Sequence, residues 1–326
     1  MVTGDHLSLT SFPTISLSNG EDRVPRLTYL SEVRNRLLWP LEASRLSNPS
    51  SGLQSAANIK FDKILFLNDI YFDPLDAVQL LFSTNAHSGR AQYRAACAVD
   101  FVRGAQMYDT FVVRDTDGRG TGFMLYPWFS TGGTGVSREA VLRQKDAVPV
   151  RSCWGGMVAF DASVFQQAEP TDLALRFHAS NETFWEAAEC CLLFADIEKQ
   201  HGRPNLEKGS GVFMNPYIRV AYSQSTWNWL PVFRRFERMF EYVQYVFSVV
   251  NYPDRNPRRT HEPDQVVEEN VWNSSVQRFQ RVRRQASPGG FCGQRRMFVM
   301  KNDLERANTD GSGKNWQKVP VPPGAD

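Results

Sequence analysis

The stretch "KILFLNDIYFDP" (residues 63–74) begins as a buried strand and then changes character. Ile64, Leu65, Phe66 and Leu67 form an apolar run, which Asn68 and Asp69 interrupt before Ile70, Tyr71 and Phe72 resume it. A short apolar run bounded by polar signals reads as a core strand. An unpaired carboxylate in apolar company is expensive, so Asp69 is expected to face a metal, a cation or several donors. Downstream, "DPLDAVQLLFST" (73–84) opens with a cap-like Asp and a Pro in the first turn, and reads as a helix. "YRAACAVDFV" (93–102) follows as a second strand, with another carboxylate, Asp100, near its end. Strand, helix and strand in this order form a βαβ unit, which implies a parallel sheet with a right-handed crossover.

Working outward, "RLTYLSEVRNRLLWPLEASRL" (26–46) puts Leu27, Leu30, Val33, Leu37 and Leu41 at helical spacing, with Pro40 kinking or ending the helix. "YDTFVVRDTDGRGTGFMLYPWF" (108–129) has two β-rich runs around a Gly-bearing centre and predicts a hairpin. "VPVRSCWGGMVAFDASVF" (148–165) is a β-rich run broken by Gly155 and Gly156, where backbone or ligand can approach closely. "NETFWEAAECCLLFADIEKQHG" (181–202) predicts a helix closed by its terminal glycine. "GVFMNPYIRVAYS" (211–223) reads as a strand, and "WLPVFRRFERMFEYVQYVFSVVNYP" (229–253) as an amphipathic helix. The expected organisation is a short N-terminal remnant (1–25, with room for one strand), an α/β domain (26–250), and a polar, Pro-rich C-terminal extension (251–326).

A net charge of +2 gives no global argument for nucleic acid or an anionic membrane as partner, and acidic residues interleave with the late basic clusters. No run approaches the ~20 apolar residues of a membrane span, and the first residues lack a signal-peptide pattern. The five cysteines contain no C-x-x-C, so zinc is not expected, and Cys190 and Cys191 read as small core residues.

In an open α/β sheet, ligands bind beyond the carboxyl ends of the strands, where Asp69 and Asp100 both belong. Each also fits a helix cap or a salt-bridged carboxylate. "RDTDGRG" holds a literal Asp-x-Asp, Asp115 and Asp117, but Asp-Gly inside a hairpin is first a turn signal. Arg34 and Asn35 fit an exposed pair on an amphipathic helix as well as a ligand contact.

The segments "RLTYLSEVRNRLLWPLE", "KILFLNDIYFDPLDAVQLL", "YRAACAVDF", "YDTFVVRD", "SCWGGMVAFDASVF" and "EAAECCLLFADI" together resemble the fungal mannosyltransferase family of the cryptococcal capsule α-1,3-mannosyltransferase. The resemblance implies a GT-A-like, Rossmann-related fold: a mixed, mostly parallel sheet flanked by helices, here lacking the first βα units. It implies transfer of mannose from GDP-mannose to a glycan or polysaccharide acceptor, in the Golgi, with no nucleic acid involved and no membrane span in this chain. "LND" then takes the place of the family's metal-binding Asp-x-Asp, with Asp69 as ligand to Mn²⁺ or Mg²⁺ and Asn68 as its neighbour. Arg34 and Asn35 would lie near the donor, while Asp100, Trp154, Gly155 and Gly156 would line the donor or acceptor site. Glu189, directly before "CC", would be the catalytic carboxylate, and Glu186 its structural neighbour one turn earlier. His261 is a weaker metal candidate. The alternative is a non-catalytic relative that acts as a binding or assembly subunit in polysaccharide synthesis or export.

Overall fold

The computed structural model describes residues 7–17, 19–41, 60–166, 174–201, 211–251, 256–302 and 314–325. The leucine spacing after Pro25 becomes helix α1 (Arg26–Leu37), which yields to a 3-10 turn at Trp39–Leu41, where Pro40 removes a backbone donor. The opening stretch folds into β1 (Lys63–Leu67), a break at Asn68 and Asp69, and α2 (Pro74–Ser83). Asp73 caps α2 by accepting the Leu75 N–H at 2.9 Å, with Pro74 in the first turn. β2 (Ala95–Arg103), α3 (Val136–Leu142), β3 (Val148–Val150), β4 (Met157–Asp161) and β5 (Glu186–Ala187) follow. Then come α4 (Glu189–His201), β6 (Val212–Ala221) and α5 (Gln224–Asn251).

The central sheet has the order β1-β4-β2-β6-β3. β1 and β4, β4 and β2, and β6 and β3 pair antiparallel, while β2 and β6 pair parallel. The expectation of a mostly parallel sheet is therefore corrected to a mixed one. β1 and β2 do run in the same direction, but β4 lies between them instead of leaving them neighbours. Met157, Val158, Ala159 and Phe160 of β4 are fully buried, so this strand gains most from an interior position. It reverses direction through Gly155 and Gly156, at φ 62° and 68°. A β-carbon on Gly155 would stand 1.9 Å from the Ala98 carbonyl oxygen, so only glycine fits there.

Side chains alternate across β2, which is buried on both faces. Cys97, Val99 and Phe101 join the larger core with Trp154, Phe160 and Phe194. Ala96 and Ala98 face the smaller core with Ala77 and Leu80 of α2. Two expected elements differ. The helix over 181–202 begins only at Glu189, because the acids before it are held in buried ion pairs with later arginines. Glu182 pairs with Arg258 and Arg284, and Glu186 pairs with Arg296 at 2.7 Å. Its glycine, Gly202, lies outside the described residues. The hairpin over 108–129 shrinks to a turn in which Asp115 Oδ1 accepts the N–H groups of Asp117 and Arg119, flanked by isolated bridges.

The residues set off by composition, 251–326, add β7 (Val266–Asn273), β8 (Arg278–Gln285), β9 (Gly293–Gln294), β10 (Met297–Met300) and β11 (Trp316–Val319). β7 and β8 form a hairpin, β9 pairs with β5, and β10 with β11. Disulfides join Cys97 to Cys153 and Cys191 to Cys292. Cys191 is thus a cross-link and not only a small core residue, whereas Cys190 is buried with a free thiol.

Candidate functional site

The strand directions bring four chain segments to one edge of the sheet. β1, β2 and β6 end there, and antiparallel β4 starts there. Asn68 N–H donates to the Gly156 carbonyl at 2.9 Å, and Tyr71 N–H to the Ala221 carbonyl at 2.8 Å. The Asn68 amide is committed at both ends: Trp154 Nε1 donates to its oxygen and its nitrogen donates to the Tyr222 hydroxyl, each at 3.4 Å. Gly156 is closely packed, since a β-carbon would meet Ile70 at 3.0 Å and the Tyr222 hydroxyl at 3.2 Å. The close approach that the glycine pair predicts is therefore to protein.

Asp100 is wholly buried below this edge. Its Oδ1 accepts the Asp109 N–H at 3.0 Å, and its Oδ2 has no hydrogen-bond partner among the described residues. Burial, and then the charge of Asp109, push Asp100 up to about 8. Asp109 accepts the Gly155 N–H at 3.2 Å and the Val112 N–H at 3.3 Å, and burial raises it as well. Burial and the charge of Asp100 push the Tyr222 phenol upward. Both shifts favour the protonated carboxyl over the carboxylate in this cluster.

Beside it stands an ion pair between distant parts of the chain. Arg34 Nε of α1 donates to Glu189 Oε1 at 2.8 Å, and Glu189 sits in the first turn of α4 with 2% exposure. A helix N-terminus favours such a carboxylate. The Arg34 guanidinium lies 4.1 Å from the centroid of the Trp154 ring, which packs against Phe66 and Phe177. Trp154 is nearly buried, so it supports the pair and does not offer a bare face to a sugar.

Arg34, Asn68, Asp100, Trp154, Gly155, Gly156 and Glu189 thus share one connected neighbourhood. Asn35 is spent on α1 packing: its amide donates to the Phe177 carbonyl and accepts the Phe177 N–H, each at 2.8 Å. Asp69 is exposed beside Asn68 at the end of β1. Asp109 and Tyr222 join the neighbourhood without having been singled out from sequence. The signal available was position: both sit at the ends of quoted β-rich segments. His261 is bound to Glu269 at 3.0 Å, within the Glu182–Arg258–Arg284 network that lines a cleft of about 580 Å³. That cleft and a second of about 840 Å³ around Asn85 and Phe213 contain none of the converging residues.

No group of three His, Cys, Asp or Glu side chains able to hold a metal occurs among the described residues. With Asn68 committed, Asp69 presents an exposed carboxylate at this edge. One carboxylate suits a cation completed by water and substrate phosphate oxygens, and is too little for a cage made by protein alone.

A family model described as cryptococcal mannosyltransferase 1 matches residues 2–196, more than half of the 326-residue chain. Nothing among curated proteins and nothing among solved structures matches the chain.

Proposed function

The chain belongs to the cryptococcal mannosyltransferase 1 family, and from that premise we propose that it transfers mannose from GDP-mannose to a glycan or polysaccharide hydroxyl. The proposed linkage is α-1,3, formed with retention and with the help of Mn²⁺ or Mg²⁺. The observation that carries this reading is the Arg34–Glu189 pair beside Trp154, at the edge where β1, β2 and β6 end. In the transfer, the bond from the anomeric carbon to the donor phosphate oxygen breaks, and GDP leaves with the electron pair. A new bond forms to the acceptor oxygen, and the acceptor proton passes to the departing diphosphate. Glu189, paired with Arg34 at 2.8 Å, opposes the positive charge that grows on the sugar ring. Asp69 would hold the cation, which when bound offsets the charge on the leaving diphosphate.

Two disulfides support an oxidising compartment, and with the family they favour the Golgi lumen. No helix among the described residues is long and apolar enough to cross a membrane.

Thermal melting with GDP and Mn²⁺, paired with a mannose-transfer assay, tests the proposal. Ligand at a hundredfold excess over its Kd stabilises by about 2.7 kcal/mol. Asp69→Ala should abolish that shift, while Asp115→Ala and Asp117→Ala, which alter a turn, should keep most of it. Loss of the shift in the Asp115 variant alone would overturn the metal assignment. A shift without any transfer would favour the second reading, a non-catalytic binding or assembly subunit, which the lone carboxylate at Asp69 supports.

A further inference from the structure

Two triplets of the sequence place a hydroxyl residue two positions after an asparagine, with no proline between: Asn181-Glu182-Thr183 and Asn273-Ser274-Ser275. Such a triplet accepts an N-linked glycan where the chain folds in the secretory pathway and the asparagine ends on the surface. The disulfides Cys97–Cys153 and Cys191–Cys292 support the first condition, because they belong to an oxidising compartment. The triplet is common by chance, so the surroundings of each asparagine decide the second.

The fold treats the two differently. Asn181 is exposed, lies outside helix and strand, and makes no side-chain hydrogen bond among the described residues. Its place is nevertheless fixed from both sides. Phe177 is held by the Asn35 amide, His178 meets Asp196 at 2.8 Å, and Glu182 pairs with Arg258 and Arg284. The free amide stands on the shared rim of two clefts, one of about 580 Å³ against β7 and β8 and one of about 540 Å³ against α1. A sugar on it displaces no hydrogen bond of the fold. Asn273, by contrast, ends β7 and is half-buried. Its Nδ2 donates to Gln280 Oε1 at 2.8 Å and its Oδ1 accepts the Ser275 N–H at 3.0 Å, so this amide already closes the hairpin. A sugar there would replace one of its two donor hydrogens.

We propose that Asn181 carries an N-linked glycan on the rim of these clefts, an inference that rests only on the luminal part of the functional reading. In the modification, Asn181 Nδ2 bonds to the anomeric carbon of an oligosaccharide held on a lipid diphosphate. The bond from that carbon to the phosphate oxygen breaks, and the lipid diphosphate leaves with the electron pair. The amide gives one proton to a base of the modifying enzyme, so the step draws on none of Arg34, Asp69 or Glu189. The test is peptide mass mapping of the full protein, isolated from the cells that make it, before and after peptide-N-glycosidase in heavy-oxygen water. Expected is labelled conversion of Asn181 to aspartate, with a step in gel mobility. Asn181→Gln and Thr183→Ala should each abolish that step, while Thr183→Ser and Asn273→Gln keep it. The melting temperature of the deglycosylated protein should be the same with Asn181→Gln as without. A bare Asn181 in protein whose Cys97, Cys153, Cys191 and Cys292 resist alkylation overturns the proposal and leaves the compartment standing. A bare Asn181 with those cysteines alkylated before reduction overturns both. A glycan on Asn273 with none on Asn181 also overturns the proposal, because the free amide would then not decide the site.

Discussion

At the scale of single residues, the two glutamates before "CC" separate into different jobs. Glu189 pairs with Arg34 across 155 positions of sequence, whereas Glu186 lies on β5 and holds Arg296 and the Phe298 N–H. Glu189→Gln should leave GDP binding intact and lower transfer by about 10²–10⁴-fold, as for a lost acid–base or charge-stabilising group. Glu186→Gln should instead lower the melting temperature while activity per folded molecule survives; the reverse pattern would exchange their roles. Asp100 adds a pH signature. Its pKa is raised in the folded state, so the folded protein binds a proton that the unfolded chain releases near 4. Stability is then greatest below the unfolded value and falls as pH climbs toward about 8. Each unit of such a shift is worth about 1.4 kcal/mol, so the melting temperature of wild type should drop over this range. Asp100→Asn, which can still accept the Asp109 N–H, should flatten that drop. A parallel slope in the variant would remove Asp100 from the account. Sequence singles out Asp69 and Asp100 because a carboxylate interrupting an apolar run is a local anomaly, but the structure buries Asp100 and leaves Asp69 exposed. Asp109 and Tyr222 escape because their place at the ends of β-rich segments does not reveal that the sheet will bring both beside Asp100.

At the scale of elements, what can be read from sequence follows how local the cause is. The cap and proline of α2 and the length of β6 depend on residues within a few positions, and both appear as expected. The place of β4 between β1 and β2 depends on contacts that span the sheet, so the βαβ pattern gives direction but not neighbours. The late start of α4 has the same origin, because Glu182 and Glu186 are held by arginines around a hundred positions away or nearer. The net charge of the chain, close to neutral, likewise hides the segregation of acids inward and arginines outward on α5. The Gly155–Gly156 reversal is the element on which the edge depends. Gly155→Ala combines a left-handed backbone with a contact to the Ala98 carbonyl that cannot relax without moving β2. Gly135→Ala has a similar φ of 67° but no heavy atom within 4 Å of the new methyl. The Gly135 change should cost about 1–2 kcal/mol, the left-handed penalty alone. The Gly155 change should cost clearly more in a denaturant titration, and equal costs would mean that the turn can shift freely.

At the scale of the whole molecule, the described C-terminal strands are fastened to the same helix that carries Glu189. Cys191, two residues beyond it, is bonded to Cys292 across a separation of 101 residues. Cys97–Cys153 fastens β2 to the segment that presents Trp154 and Gly155. Both cross-links flank the candidate site, so they brace its two halves as well as the fold. In the chain-entropy model, closing a loop of about 100 residues contributes about 4.7 kcal/mol, and removing a native disulfide commonly costs 2–5 kcal/mol. The pairing makes a chemical prediction first: under denaturing conditions without reductant, one of the five cysteines, Cys190, should be alkylated, and all five after reduction. It also makes an energetic one. Cys191→Ser and Cys292→Ser should each destabilise by a similar amount, and the double variant should cost hardly more than either, because the first change already breaks the bond. Additive costs would mean that the two thiols merely pack side by side. If the bond braces the site, transfer should fall in both single variants even below their melting temperatures, because α4 is then free to move Glu189 away from Arg34. Full activity of the folded Cys292→Ser protein would confine the disulfide to stability and leave the Arg34 pair as the sole fixture of Glu189.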